Sequence, residues 1–166
     1  MLFTVVKIYT DASYDDKKRI AGIGCVIIRG SERHIFSNNF KALTNNEGEL
    51  FAIWFALNLC SNEKVTLYTD SLSAINLIEN PNPKDKPLTP QQRENRTRCR
   101  YWAYKIRQQI KNLDSFEVEH IKAHTGKFQQ HYINNQLADL LAKEGRAKFY
   151  EQEKALLLHK NCIKSK

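Results

Sequence analysis

The sequence Ile8-Tyr9-Thr10-Asp11-Ala12-Ser13 decides the fold, because it recurs in shorter form as Leu67-Tyr68-Thr69-Asp70-Ser71. Each copy closes a β-rich stretch, and a helix is predicted between the two, which is typical of neighbouring parallel strands. The carboxyl ends of such strands meet at one edge of a sheet, where ligands bind in open α/β folds. Asp11 and Asp70 are therefore expected side by side. Their repulsion predicts a bound cation.

Outward from these two strands, hydrophobic periodicity predicts five strands and four helices in all. Strands are expected over residues 4–9, 23–29, 34–40, 65–69 and 116–121, and helices over residues 47–60, 71–78, 91–113 and 133 to about 148 or beyond. Asn45 and Asn46 are predicted to cap the first helix. Strands followed by an alternation of strands and helices are typical of a mixed sheet with helices packed on it.

Composition places the chain among globular proteins that need no disulfide or metal to fold. Its 166 residues are the usual length of one domain. The chain is 42% hydrophobic and 27% charged, a composition unlike that of a disordered tail. The longest apolar run, residues 50–57, is too short to cross a bilayer. The amino terminus lacks the basic region of a secretion signal, and four scattered cysteines without a Cys-x-x-Cys pair indicate reduced thiols. We therefore expect a cytoplasmic monomer without membrane contact.

Positive charge is concentrated in one segment. Between Lys84 and Lys111 there are nine basic and two acidic residues, so this stretch carries +7 of the net charge of +8. A concentrated basic element indicates a polyanionic partner, most commonly nucleic acid. At about 100° per residue, one narrow row of the predicted helix is formed by Arg93, Arg96, Arg100, Arg107 and Lys111. The alternative interpretation is a solvated charged face without a partner.

Two further acidic residues are predicted to reach the same sheet edge. Glu49 lies in the first turn of the first helix, and Asp139 lies among apolar residues of the last helix. The alternative interpretation of Glu49 is an acid that complements the helix dipole. The alternative interpretation of Asp139 is an exposed acid at the boundary of the apolar residues. With Asp11 and Asp70 they form four hard oxygen ligands, typical of Mg²⁺ or Mn²⁺. Zinc is the alternative metal, with candidate ligands His120, His124 and His131.

These motifs resemble those of type 1 ribonuclease H, the enzyme that cleaves RNA paired to DNA. The matching pieces, in the family's order, are Tyr9 to Ser13, Thr44-Asn45-Asn46-Glu47-Gly48-Glu49-Leu50, Tyr68 to Ser71, His124-Thr125-Gly126 and Asn135-x-x-Ala138-Asp139-x-Leu141-Ala142. The resemblance implies the ribonuclease H-like fold, a five-stranded mixed sheet flanked by helices. Its strands 1–3 are antiparallel, and strands 4 and 5 are parallel to strand 1. Residues 1–148 would form the catalytic domain, including the basic helix 91–113, and residues 149–166 a helical extension of it.

By resemblance, Asp11, Glu49, Asp70 and Asp139 are the metal-binding and catalytic acids, and His124 is the histidine of the loop beside the site. Phosphodiester hydrolysis by two divalent ions needs one ion at the attacking water and one at the leaving oxygen. We expect two Mg²⁺ ions, with Mn²⁺ as an alternative. Asp11 would bridge them, Glu49 and Asp70 would hold the first, and Asp139 the second. His124 would assist proton transfer or product exit.

The substrate implied by the resemblance is the RNA strand of an RNA/DNA hybrid, cut to a 5′ phosphate and a 3′ hydroxyl. The 2′-hydroxyl distinguishes RNA from DNA, and the short polar residues beside the acids are expected to contact it, namely Ser13, Asn45, Asn46 and Ser71. Thr44 and Asn45 are expected to seat a DNA phosphate. The arginine row of the basic helix would contact the DNA strand away from the cut, setting affinity and salt response.

The chain departs from the family pattern at three positions that concern substrate contacts. Ala12 replaces a common glycine, Glu47 a common basic residue, and Leu72 a common polar contact. Integrases, transposases and junction-resolving nucleases share the same sheet and acids, so they remain alternatives. The Asn45-Asn46 pattern before Glu49 and the His124 loop favour ribonuclease H. A non-catalytic module that binds hybrids or duplexes through the basic helix is the alternative from another class.

Overall fold

The computed structural model describes residues 5–81, 87–121 and 129–164, with side chains over residues 5–81, 87–121 and 130–157. Within them lie strands β1 (Val6–Asp15), β2 (Ile20–Arg29), β3 (Glu32–Lys41), β4 (Lys64–Thr69) and β5 (Ser115–His120), and helices α1 (Asn45–Leu57), α2 (Leu72–Glu79), α3 (Pro90–Ile110) and α4 (Gln129–Lys164). The sheet order is β3-β2-β1-β4-β5. β1, β2 and β3 are antiparallel, whereas β4 and β5 run parallel to β1. The predicted mixed sheet is confirmed.

β1 is longer than predicted, and its extra length changes where Asp11 lies. Its parallel pairing with β4 ends at Tyr9 opposite Tyr68, close to the predicted end of the strand. The antiparallel ladder with β2 nevertheless continues to Asp15 and places Asp11 opposite Gly24. The prediction that the first strand ends at residue 9 was therefore wrong. Asp11 is held by a backbone ladder at the point where β1 and β4 separate.

The cap of α1 also differs from the prediction. The Thr44 hydroxyl accepts a hydrogen bond from the Glu47 amide at 3.2 Å, so Thr44 is the N-cap. Asn45 and Asn46 form the first turn instead of capping it. The amides of a helix's first turn have no carbonyl acceptor within the helix, and the threonine hydroxyl supplies one for the amide three residues later. Both asparagine side chains are thereby left exposed.

The sheet carries a helical layer on each face. Alternate residues of a strand point to opposite faces, and in β1 Ile8 packs on one side and Tyr9 on the other. α1 and α3 close the first core, which contains Ile8, Cys25, Ile27, Leu50, Ile53, Leu57, Leu67, Cys99, Ala103 and Ile106. α4 closes the second core, which contains Tyr9, Val26, Tyr68, Ala138 and Leu141. The third helix, α3, packs on the first core through its buried residues Cys99, Ala103 and Ile106.

The backbones of α4 and β2 come unusually close, because two β2 glycines face the helix. A Cβ atom on Gly24 would lie 2.0 Å from the Ala138 carbonyl oxygen, and one on Gly22 would lie 2.0 Å from the Ala142 carbonyl oxygen. No side chain can occupy that space. Gly24 pairs with Asp11 across the ladder, and Ala138 directly precedes Asp139. The contact therefore sets the position of Asp139 relative to Asp11.

α4 begins four residues before the predicted start at residue 133 and continues through the predicted helical extension to Lys164. Its second half is tied to the end of β1 and the following turn, since the Tyr150 hydroxyl donates to Asp15 and Lys18 pairs with Glu153 at 2.8 Å. Leu156 and Leu157 farther along are exposed. Although α4 has 36 residues, neither it nor another helix of the described ranges has an apolar stretch long enough to cross a membrane.

Gly24→Ala should lower the free energy of unfolding by about 2 kcal/mol or more, since the added methyl group meets a backbone oxygen that cannot turn aside. Urea denaturation followed by circular dichroism measures the change. Gly30→Asn in the exposed β2–β3 turn is the control, because asparagine tolerates the positive φ of 60° there. An equal effect of both substitutions would contradict the proposed backbone contact.

Candidate metal centre

Three carboxylates converge where β1 and β4 separate. Asp11 is carried by β1, Asp70 follows the last residue of β4, and Glu49 lies near the start of α1. One carboxylate oxygen from each lies within 4.8 Å of the other two. Gly48 permits this approach of α1, because a Cβ atom there would lie 2.8 Å from the Ala21 methyl carbon. Parallel strands and a closely packed helix thus bring together residues far apart in sequence.

Each carboxylate has a different local environment. Asp11 Oδ1 accepts a hydrogen bond from the Ala12 amide at 2.7 Å. Glu49 is only 4% exposed, and its Oε1 accepts from Asn45 Nδ2 at 3.3 Å. Its Oε2 is buried and has no hydrogen-bond partner among the described residues. Asp70 is exposed, so the group opens to solvent on its side.

Burial and mutual repulsion disfavour ionisation of this group. Burial, followed by the charge of Asp70, raises the pKa of Asp11 to about 7. Burial, followed by the charges of Asp11 and Asp70, also raises the pKa of Glu49 well above its usual value. The Ala12 amide opposes the shift at Asp11. Such shifts are typical of carboxylates gathered at functional sites.

The donor set fits a divalent cation. All three groups offer carboxylate oxygens, the ligands that Mg²⁺ and Mn²⁺ prefer. A positive ion would satisfy the orphaned Glu49 Oε2 and compensate the repulsion that raises the pKa of Asp11 and of Glu49. In the described ranges, this is the group of His, Cys, Asp or Glu side chains that meets the geometry of a metal site.

Asp139 is not one of the three carboxylates that lie within 4.8 Å of one another. Its charge contributes to the raised pKa of Asp11, so it lies on the same side of the sheet edge. Its Oδ2 accepts from Lys143 Nζ at 2.7 Å, and its side chain is 39% exposed. The structure thus brings three of the four predicted acids together. Asp139 stays a predicted ligand.

The histidines do not form the alternative zinc site within the described residues. His124 lies outside those residues, so its predicted role stays a prediction. His120 Nε2 donates to the Asp70 carbonyl at 3.2 Å. His131 Nδ1 lies 2.8 Å from the Tyr9 hydroxyl, and its ring packs on Tyr68. His120 and His131 therefore each contact a different residue.

Short polar side chains surround the acids, as predicted. An open depression of about 460 Å³ is lined by Asp11, Ala12, Asn45, Asn46, Glu49, Asp70, Ser71, Leu72 and Ser73. Ser71 also caps α2, since its hydroxyl accepts from the Ala74 amide at 3.3 Å. Thr44 caps α1, and Ser13 lies on β1 opposite Gly22. The exposed Asn45 and Asn46 are the most accessible of the predicted contacts.

The predicted arginine row is not equally accessible along α3. Arg93 is exposed and Arg96 half-buried, whereas Arg100 has a buried Nε. Arg107 Nη1 donates to the Leu77 carbonyl of α2 at 2.8 Å. Lys111, just beyond the helix, is exposed. Arg107 therefore contributes to packing between α2 and α3, and the amino-terminal half of the row is the better candidate surface.

Sequence reasoning missed one ion pair near the site, between buried Glu47 and partly exposed Arg98. Glu47 is fully buried, and its Oε1 accepts from Arg98 Nε at 2.7 Å and from Trp102 Nε1 at 3.2 Å. The available signal was the acidic residue at a position where the resemblance implies a basic one. Nothing in the local sequence indicates its partner, which lies 51 residues away.

The fold and site together define an α/β protein with three converging carboxylates, able to hold a divalent cation, at the edge of a mixed sheet. The model of the RNase H family matches residues 4–147, and the chain therefore belongs to the RNase H family.

Two known proteins are similar to parts or most of the chain. The crystal structure of RNase H1 from the halophilic archaeon Halobacterium salinarum NRC-1 matches with a TM-score of 0.58 and 21% identity, over 87% of this chain and 98% of that one. This likeness is one of fold. The uncharacterized protein YpeP of Bacillus subtilis (strain 168) is 32% identical over 83 residues. The match covers 45% of this chain and 37% of YpeP.

Asp11→Asn should raise the melting temperature of the metal-free protein. The pKa of Asp11 is about 7 in the fold against 3.8 for a free side chain, so the folded state binds more protons between these values. The parent therefore loses stability as the pH rises from about 4 to about 7. The variant lacks this decline, and its advantage should grow over that range to roughly 2–8 °C at pH 8.

Differential scanning calorimetry at pH 5 and pH 8 with EDTA measures the difference, with the exposed Asp16→Asn as the control. Mg²⁺ should then stabilise the parent more than Asp11→Asn. An advantage of the variant that is equal at both pH values would contradict the assigned burial and repulsion.

Proposed function

We propose that this protein is a metal-dependent endonuclease that hydrolyses the RNA strand of RNA/DNA hybrids and leaves 5′-phosphate and 3′-hydroxyl ends. The observation that carries the proposal is the convergence of Asp11, Glu49 and Asp70 within 4.8 Å in a chain of the RNase H family. The site is open on the Asp70 side, where a backbone phosphate has access.

Mg²⁺ bound by these three carboxylates and by Asp139 would supply, in a two-ion arrangement, an activated water and neutralisation of transition-state charge. The protein's own part is to hold the ligands in place. The Ala12 amide orients the Asp11 carboxylate, and Asn45 Nδ2 orients that of Glu49. His124 is proposed to assist proton transfer, since imidazole titrates near neutral pH.

Selection of a hybrid requires recognition of RNA on one strand and DNA on the other. Asn45, Asn46 and Ser71 border the acids and are proposed to contact 2′-hydroxyls, the groups that distinguish RNA from DNA. Thr44 is proposed to help seat a DNA phosphate. The excess of basic residues on α3 supports affinity for a polyanion, and such contacts set salt dependence without reading sequence.

The proposal predicts that, with Mg²⁺, the protein cleaves a uniformly labelled RNA/DNA hybrid and spares duplex RNA, duplex DNA and single strands. Asp11→Asn and Asp70→Asn should each lower kcat by about 10³-fold or more, because each removes a ligand charge at the reacting phosphate. Near-parental turnover of either variant would contradict the site. Hybrid binding without any cleavage by the parent would favour the non-catalytic module, and cleavage of duplex DNA would favour the integrase-like alternatives.

Replacing Arg93, Arg96 and Arg100 together with glutamine should raise KM for the hybrid and leave kcat nearly unchanged. The slope of log affinity against log salt concentration should shrink by roughly two to three, at about 0.9 for each phosphate that the variant no longer neutralises. Fluorescence anisotropy over a salt series measures the slope.

A triple variant with the same change in charge is the matched control for this prediction. Lys7, Arg33 and Lys64 are exposed and lie at the opposite end of β1 and β4 from the acids. Their replacement by glutamine should change the slope less. Equal slopes of log affinity against log salt concentration for both triple variants would contradict the prediction and favour the alternative that α3 is a solvated charged face.

A further inference from the structure

The structure points to Glu47 as a positioning residue that holds the basic helix α3 against the first turn of α1, and we propose that it sets the affinity for the nucleic acid. This inference rests on the proposed function. Glu47 is fully buried and therefore touches no substrate itself. Its effect must pass through the groups that it binds, which lie on both helices.

On the α1 side, Glu47 fixes the turn that presents the two exposed asparagines. Its amide donates to the Thr44 hydroxyl at 3.2 Å, and its Oε2 accepts from the Leu43 amide at 2.7 Å. These two bonds close a reciprocal cap around residues 43–47. Asn45, inside this cap, also bonds Glu49 of the metal centre. Glu47 thus shares its turn with the centre but is not part of it.

On the α3 side, the other oxygen of the same carboxylate holds two residues one turn apart. Oε1 accepts from Arg98 Nε at 2.7 Å and from Trp102 Nε1 at 3.2 Å. Arg98 Nη2 additionally reaches the Lys41 carbonyl at 3.4 Å. Two donors from successive turns fix both the position and the rotation of α3 at this point, because a slip along its axis would break both bonds.

The ion pair is not needed to dock α3, since the apolar core already does so. Cys99, Ala103 and Ile106 are buried against α1, and Trp102 packs between Phe51 and Trp54. Glu47 is buried whereas the Arg98 side chain is 41% exposed, so the desolvation of Glu47 and the solvent screening of Arg98 leave the pair a small net contribution to stability. The two directed hydrogen bonds to Glu47 nevertheless favour one arrangement of the helices over others. Glu47 is therefore expected to select one placement of α3 among those the apolar contacts allow.

That placement matters for binding because of where the charges lie. Cys99 is the first residue of α3 that the core buries, and the helix begins nine residues earlier at Pro90. Arg93 and Arg96 lie in this less buried segment, and the Glu47–Arg98 bond is next to it. Loosening the bond should therefore displace the cations from the nucleic acid without moving Asp11 or Asp70.

Steady-state kinetics on a labelled hybrid, together with anisotropy in EDTA, test the role of Glu47. Glu47→Gln should raise KM and the dissociation constant about 5- to 10-fold, the scale of one hydrogen bond to a charged group, with kcat within about twofold. Glu63→Gln is the matched control, since it breaks the Arg29–Glu63 ion pair of similar length, 2.8 Å. That pair lies near the carboxyl end of α3, where Gln109 contacts Cys60, and away from Arg93 and Arg96, so its loss should change neither constant.

Arg98→Gln should raise KM and the dissociation constant as Glu47→Gln does. The double variant should have a dissociation constant no higher than that of the single variant that binds more weakly, because both substitutions break the same ion pair. Trp102→Phe keeps an aromatic ring and removes one donor, so it provides a milder variant if Glu47→Gln folds poorly. It should raise KM about 2- to 3-fold.

Three results would overturn the inference: a fall in kcat at unchanged KM, a lower melting temperature with both constants unchanged, or an equal rise in KM for Glu63→Gln. If the parent cuts no hybrid, the proposed function fails, and the dissociation constants still decide the role of Glu47. Equal constants for the parent and Glu47→Gln would overturn it.

Discussion

Repulsion among three carboxylates is the constraint on which the arrangement of this molecule depends. Asp11, Glu49 and Asp70 each have an oxygen within 4.8 Å of the other two, and Glu49 is buried and Asp11 half-buried. Left to themselves, such groups would move apart or take up protons. The fold keeps the three groups within this distance, and burial together with their mutual repulsion raises the pKa of Asp11 and of Glu49.

Rigid backbone contacts provide the resistance. The ladder with β2 holds Asp11 on β1 after β4 has diverged, and stacked rings of Tyr9 and Tyr68, 4.8 Å apart, join β1 to β4 just before the acids. The amino-terminal turn of α1 is fixed by Thr44 and Glu47, and the positive end of its dipole favours a carboxylate there. Strand pairing and ring stacking therefore hold Asp11 and Asp70, whereas the cap of α1 holds the turn that leads to Glu49.

The convergence of Asp11, Glu49 and Asp70 could be predicted because each lies in its own short motif beside a recognisable strand or helix, whereas Asp139 as a fourth ligand stays a prediction. The end of β1 was mispredicted, since whether a strand continues depends on the ladder that β2 offers, and Asp11 pairs with Gly24 only after a hairpin is formed. The cap of α1 was misassigned because Thr44, Asn45 and Asn46 are all good capping residues. The Glu47–Arg98 pair and the glycine contacts with α4 join distant segments, so no local pattern indicates them.

Measurement of individual carboxyl pKa values by ¹³C nuclear magnetic resonance, with and without Mg²⁺, tests the central claim most directly. We expect that Asp11 titrates near pH 7 in the absence of metal, that the pKa of Glu49 is also raised, and that Mg²⁺ lowers both. Ordinary pKa values near 4 for both side chains, unchanged by Mg²⁺, would contradict the existence of a buried carboxylate metal centre.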